Sequence, residues 1–294
     1  MGDEGAVAFI GFPRTGKSTY LGAIWQIAQD PSQSDIFEAD FSGDRSHVQQ
    51  LGEAVARGEE VAHTEVDSDD WMRLRLGFVG LGAIDVNIPD LSGESVRLLV
   101  EDRVLHPLLS SALASAQALA IFVHPEKVEL PMTIAMAQEI LARHLPAEAA
   151  QSQAVERLET DEITIPPFEA KKSCTAAKYL DALENVVQLL SDRWPVRVAL
   201  IISAWDSVDQ PDVITPSQWL IHNAPALHGF VTQNPDMVTA QVFAVSAQGA
   251  PVPMDAETRR ALGPVSERAY SRGSTGQRLS LAAPLRWAVW GSTD

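Results

Sequence analysis

Cysteine is nearly missing from this chain: Cys174 is the only one among 294 residues. That excludes an intrachain disulfide and any zinc cluster built on cysteines, and it suits a reducing compartment. Cationic side chains are also scarce, with 22 Lys and Arg against 39 Asp and Glu and a formal net charge of −17. Without a basic surplus to neutralise phosphates, sequence-independent nucleic-acid binding is excluded as a role. No apolar run reaches the length of a membrane-spanning helix. Met1-Gly2-Asp3-Glu4-Gly5 is acidic and leads directly into an apolar run, so no signal peptide is expected, and Asp3 and Glu4 make Gly2 a poor lipidation site. A cytoplasmic location with no membrane span is the expectation. What the chain does have is 46% hydrophobic content, enough for one large α/β domain or two small ones.

The apolar run Ala6-Val7-Ala8-Phe9-Ile10 reads as a short buried strand. It enters Gly11-Phe12-Pro13-Arg14-Thr15-Gly16-Lys17-Ser18, which matches the phosphate-loop pattern Gly-x-x-x-x-Gly-Lys-Ser/Thr. Its glycines let the backbone bend so that successive N–H groups face inward, and the helix that follows points its positive end at the same anion. Gly11, Pro13, Arg14, Thr15, Gly16, Lys17, Ser18 and Thr19 are therefore the expected phosphate contacts. Lys17 is expected to reach the terminal phosphates, and the Ser18 hydroxyl to ligate Mg²⁺.

Further β-type segments recur along the chain. Residues 31–66 read as a long polar connection with a helix over about 43–57. Segments 71–79 and 82–89 alternate around a Gly-rich turn and predict a hairpin. Segments 117–124, 196–203 and 240–246 read as buried strands. Six strands result, in a mostly parallel sheet with one antiparallel strand. Helical periodicity is expected over 132–145 and 176–193, inside a helical insertion at about 125–195, and Thr215-Pro216 opens a helix to residue 230. Residues 251–277 read as irregular. Segment 279–290 predicts a terminal helix whose Trp287 and Trp290 belong to the core. The chain as a whole, residues 1–294, reads as a single domain.

Two more groupings carry chemistry. In Asn87-Ile88-Pro89-Asp90-Leu91-Ser92-Gly93-Glu94, an aspartate ends a strand and a glycine follows three residues later. Such an aspartate can hold Mg²⁺ through water, and a glycine N–H can approach a γ-phosphate with no side chain between; the same pattern is also an ordinary turn, and its place one hairpin after the phosphate loop favours the first reading. At the ends of the later strands stand Ser203-Ala204-Trp205-Asp206 and Ser246-Ala247-Gln248-Gly249. The Asp206 carboxylate can accept hydrogen bonds from guanine N1–H and its exocyclic amine, and the Ala247 N–H, with Ser246, can support the guanine oxygen side. A helix or turn cap is the alternative role for Asp206, and a plain strand end for Ser246 and Ala247.

Taken in order, Gly11 to Ser18, a loop threonine, Asp90-x-x-Gly93, Ser203-x-x-Asp206 and Ser246-Ala247 resemble the P-loop GTPases of the Ras-like, translation-factor-related class. The resemblance spans about residues 5 to 290. Ile88-Pro89-Asp90-Leu91-Ser92-Gly93-Glu94 and the closing Pro284-Leu285-Arg286-Trp287 are similar to the bacterial double-GTPase families of conflict and defence gene clusters. The phosphate loop itself resembles that of guanylate-binding proteins, which implies that Arg14 acts as an internal arginine finger. The class implies a three-layer α/β P-loop NTPase fold with helices on both faces, GTP and GDP as ligands, Mg²⁺ as cofactor, and a GTPase switch read by a protein partner or by self-association. It also implies a switch threonine before the second strand of the class, for which Thr64 in Val61-Ala62-His63-Thr64 is the candidate Mg²⁺ ligand and γ-phosphate sensor. His63 reads as a surface residue.

Two departures stand out. Ala204 replaces the lysine usual in Asn/Thr-Lys-x-Asp, and guanylate-binding proteins lack that lysine too. Glu94 stands where Ras-like enzymes carry a water-orienting glutamine, and a carboxylate there is repelled by a triphosphate unless Mg²⁺, Lys17 or Arg14 offsets it, so either hydrolysis is slow without a partner or Glu94 is a catalytic residue that polarises the attacking water. A non-hydrolysing nucleotide-binding recruitment module and a P-loop ATPase are the competing expectations.

Overall fold

The computed structural model describes residues 5–30, 35–61, 72–89, 93–131, 136, 138–139 and 169–293. The strands are β1 (Gly5–Ile10), β2 (Ile36–Ser42), β3 (Met72–Phe78), β4 (Gly82–Ile88), β5 (Ala118–Val123), β6 (Val196–Ile202), β7 (Val238–Ser246), β8 (Tyr270–Arg272) and β9 (Arg278–Leu279). Between them run α1 (Lys17–Ala28), α2 (Arg45–Ala56), α3 (Glu94–Glu101), α4 (Pro107–Ser115), α5 (Thr175–Leu189), α6 (Pro216–Asn223), α7 (Pro225–Gln233), α8 (Ala256–Arg260), α9 (Val265–Arg268) and α10 (Ala283–Trp290).

All six expected strands form, but the sheet has nine, in the order β2-β3-β4-β1-β5-β6-β7-β8-β9. β4, β1, β5, β6 and β7 pair in parallel. β3 and β8 both run against them, where a single antiparallel strand was expected. The additional strands lie at the edges. β2 extends the hairpin within the supposed polar connection, and only Ile36 of its seven residues is buried, so it shows no apolar run. β8 and β9 are three and two residues long, below the reach of any periodicity.

Strand alternation divides the core in two. On β5, Ala118, Ala120 and Phe122 face a cluster built with α1, α2 and α10, while Leu119, Ile121 and Val123 face one built with α3 to α7. Both faces are apolar because both are covered, as a parallel sheet with helical crossovers requires. The second expected helix beside the site forms as α5, and its Tyr179, Leu183, Val186 and Val187 pack into the second cluster. Of the helix expected over 132–145, residues 136, 138 and 139 are described, and they are helical.

Local rules account for most helix ends. Asp44 caps α2 by accepting from Ser46 N and His47 N at 2.8 and 3.2 Å. Thr215 opens α6 with a reciprocal cap to Gln218, and Pro216 takes the first turn. The single helix expected to residue 230 is instead two: Ala224, at φ −146° and ψ 60°, breaks it before Pro225. A residue ahead of proline is disfavoured from the helical region, and proline has no N–H to continue the ladder. Trp287 and Trp290 belong to the core as expected, packing on Phe243 and Phe78 with ring centroids 5.9 and 5.2 Å apart.

Candidate functional site

The strand ends decide where chemistry can occur. β1, β5, β6 and β7 are parallel neighbours, so their C-terminal ends open on one edge of the sheet, where open α/β folds form their ligand crevice. A cavity of about 530 Å³ lies there.

Its floor is the turn from β1 into α1. Gly16, at φ 84°, takes the N-cap position, and α1 has neither a side-chain cap nor an acidic residue in its first turn. The positive end of that helix therefore has no side-chain cap or carboxylate of its own first turn, an arrangement suited to an anion. Lys17 is 2% exposed, and its ammonium donates to Gly11 O at 2.8 Å and Phe12 O at 3.0 Å. Thr15 is buried and donates its hydroxyl to Phe12 O at 2.9 Å, which closes the loop on itself. Arg14 sits at the apex with φ 60°, a conformation few residues other than glycine adopt, and its side chain is exposed on the cavity rim.

The opposite end is built from β6 and β7. Ser203 lies against the phosphate loop: a Cβ on Gly16 would stand 2.9 Å from the Cβ of Ser203. Ala204 turns the chain at φ 45° into a single turn, Trp205–Ser207, anchored by fully buried Trp205, whose indole donates to Pro211 O at 3.0 Å. That turn presents Asp206 to the cavity. Burial pushes the Asp206 carboxyl above its ordinary range, partly opposed by the hydroxyl of Ser246 bonded to it and by His124 nearby. Ser246 itself is fully buried and also accepts from Gly249 N at 3.0 Å.

Of the residues expected from the sequence, Arg14, Thr15, Gly16, Lys17, Ser18, Thr19, Asp206 and Ala247 all line this one cavity. Gly11 and Ser246 support it from behind, the first as acceptor for Lys17 and the second as partner of Asp206. Pro13 and Gly93 meet under the loop: a Cβ on Gly93 would stand 2.5 Å from Pro13 N and 2.4 Å from Phe12 C. Thr64 and Asp90 lie outside the described residues. Glu60 and Val61, shortly before Thr64, reach the cavity wall.

Glu94 has a different neighbour from those weighed on the sequence. Arg97, one turn along α3, donates to it at 2.5 Å, and the same guanidinium reaches Glu101 at 3.2 Å. Glu101 in turn pairs with Lys178 of α5 at 2.5 Å, and its carboxyl is held below the usual range, first by the Lys178 hydrogen bond. Lys171 closes on Asp102 at 2.8 Å. The start of α3 is thereby tied by charge to the chain around residues 171–178.

The sequence reading missed His124, Glu126 and Lys127, which follow β5 and form another part of the wall. The only signal available for them was position, at the end of a buried strand next to Ser203.

The Double-GTPase 1 family profile matches residues 8–288, nearly the whole chain. The chain belongs to the Double-GTPase 1 family. No curated protein matches the sequence. Among solved structures, bacterial selenocysteine-specific elongation factor EF-Sec is similar at 11% identity and a TM-score of 0.35, over 82% of this chain and 25% of that one. The G domain of the T. maritima FeoB iron transporter is similar at 8% identity and a TM-score of 0.29, over 82% and 88% of the two chains. The chain spans a quarter of the length of the elongation factor it matches.

Proposed function

We propose that this chain acts as one G domain that binds GTP, hydrolyses it to GDP and phosphate, and serves as a nucleotide-dependent switch. The observation that carries the reading is one cavity with Lys17 and the α1 N-terminus at one end and Asp206 at the other. A phosphate chain and a guanine base are the two ends of a single ligand suited to it, and membership of a double-GTPase family supports the same choice. The loop amides and Lys17 hold the phosphates, and Asp206 accepts from the base. Arg14, at the rim, supplies positive charge where negative charge develops in phosphoryl transfer to water.

Ser18 suits a hard divalent cation. It is half-buried on the cavity wall next to Lys17. Among the described residues no cluster of three or more His, Cys, Asp or Glu comes together, and Mg²⁺ needs none, since it binds through one or two protein oxygens, substrate phosphates and water. Thr64 and Asp90 are proposed to complete that set. Bound Mg²⁺ would neutralise charge on the phosphates. Gly93 and Thr64 then sense the γ-phosphate, and a protein partner, or a second copy, reads the difference between the two states. The setting proposed, on family resemblance alone, is a bacterial conflict or defence system.

The experiment is a titration of purified protein with fluorescent GTP and Mg²⁺, competed by unlabelled GTP, GDP and ATP. Guanine nucleotides are expected to compete at least tenfold better than ATP, because adenine offers Asp206 no N1–H and exocyclic-amine pair, and a half-buried carboxylate short of donors is costly. Equal competition by ATP would overturn the base assignment. The preference is also expected to fall with pH. Burial raises the Asp206 pKa, so its carboxylate is lost at a higher pH than an exposed aspartate, and both acceptor positions for guanine weaken with it. Repeating the competition from about pH 7.5 down through the ordinary carboxylate range, to about pH 4, checks this; a constant ratio across that whole range would remove Asp206 from the base contact.

One observation favours the non-hydrolysing alternative: Arg97 holds Glu94 along α3. Single-turnover hydrolysis separates the two readings. Arg14→Ala is expected to leave GTP affinity within about threefold and to slow turnover by about tenfold or more. Turnover no faster in the native chain than in Arg14→Ala, with nucleotide bound to both, supports the recruitment module.

A further inference from the structure

His124 is the only aromatic ring able to meet a base among the described residues of the cavity wall. The other ring there, Tyr20, is 1% exposed and directs its hydroxyl away, to Leu281 O at 2.9 Å. His124 follows β5 directly, and Ser203 N donates to Val123 O at 2.9 Å, so the imidazole stands beside the Ser203-Ala204 turn. At that turn the side chain is only the methyl of Ala204. His124 and Asp206 are close enough for each to influence the charge of the other.

We propose that the His124 ring packs on the face of the purine whose edge Asp206 reads, and so provides the base cover that a stem at position 204 would give. This rests on the GTP reading above. The ring is well anchored for that task. Glu126 N donates to its Nδ1 at 3.3 Å, and its own backbone N donates to the Tyr179 hydroxyl at 3.4 Å. With Nδ1 accepting, the neutral ring carries its proton on Nε2. Burial pushes the imidazole below its usual pKa, against the opposing pull of Glu126 and Asp206 and with the help of Lys127. A neutral aromatic plane is the form that stacks on a base of any sequence, and its removal typically costs about tenfold in affinity.

The test compares full-length native chain, His124→Ala, His124→Phe and Lys127→Ala by competition with GDP and, separately, with inorganic tripolyphosphate, which has no base. His124→Ala is expected to weaken GDP by about tenfold, leave tripolyphosphate within about twofold, and recover most of the GDP affinity in His124→Phe. Unchanged GDP affinity in His124→Ala overturns the proposal, as does a loss that His124→Phe does not repair. A matching loss in Lys127→Ala alone transfers the role to that stem and likewise overturns it. A native chain that binds tripolyphosphate but no guanine nucleotide overturns the GTP reading itself, a result distinct from failure of His124.

Discussion

Lys17→Ala is expected to abolish measurable nucleotide binding, a loss of roughly a hundredfold or more, since each hydrogen bond to a charged group contributes about 1.5–3 kcal/mol and several are lost together. The ammonium has two duties. It donates to Gly11 O and Phe12 O, which closes the loop around it, and on the proposed reading it brings a buried positive charge to the bound phosphates. Alanine leaves those carbonyls without their donor and the anion without its counter-charge. The loop changes shape and charge at once, so the effect on GTP and on tripolyphosphate should be similar. That pattern separates Lys17 from His124, whose removal acts on the base alone. Circular dichroism and a thermal melt of the nucleotide-free protein should show the remaining fold, because the two apolar clusters on either side of the sheet do not contain Lys17, and Phe12 joins the second through its ring on Tyr179 rather than through the carbonyl that accepts from Lys17. A Lys17→Ala protein that binds and hydrolyses GTP like the native chain would sink the phosphate-loop reading.

What was legible in the sequence follows the physics of each segment. β1 and the loop announce themselves because a buried strand must be apolar and a phosphate turn must carry glycines and a lysine at fixed spacing. β5 and β6 are apolar on both faces because helices cover both, and the hairpin of β3 and β4 alternates around its turn. Thr215 and Pro216 marked a helix start correctly, yet Pro225 ended that helix sooner than its apolar pattern suggested. β2 was hidden because a strand at the sheet edge, with one buried residue, looks like a polar connection. α3 and α4, between the hairpin and β5, were left unassigned: each is nine residues or fewer, too short for a 3.6-residue period to stand out. In the site, Arg14 to Thr19, Asp206 and Ala247, which line the cavity, stood out in the sequence through their motifs, whereas His124 and the Arg97 partner of Glu94 did not. A lone histidine at a strand end and an arginine one helical turn from a glutamate acquire meaning only when the sheet register and the helix are built.

Gly93→Ala tests whether the phosphate loop and α3 move as one device. Gly93 is the N-cap of α3 at φ 83°, and an added Cβ would lie 2.4 Å from Phe12 C, 2.5 Å from Pro13 N and 2.7 Å from Gly11 O. All three are backbone atoms of the phosphate loop, so no rotamer change can relieve the overlap; either the loop or the helix start must shift. Gly80 supplies the matched control, since it has φ 78° and nothing within 4 Å of the corresponding position. Both alanine variants carry the cost of a left-handed backbone, about 1–2 kcal/mol. Only Gly93→Ala adds overpacking, about 1–3 kcal/mol more. Thermal melts are therefore expected to show a modest loss for Gly80→Ala with GTP affinity intact, and a larger loss for Gly93→Ala with affinity reduced at least tenfold. The two effects are coupled because the same overlap that costs stability displaces the amides that would hold phosphate. Equal melting temperatures and equal affinities for the two variants would mean that the close approach of Gly93 to Pro13 is not kept in solution. In that event the γ-phosphate would have no direct route to α3, and the charge chain from Glu94 through Arg97 and Glu101 to Lys178 could not report the nucleotide to the segment around α5.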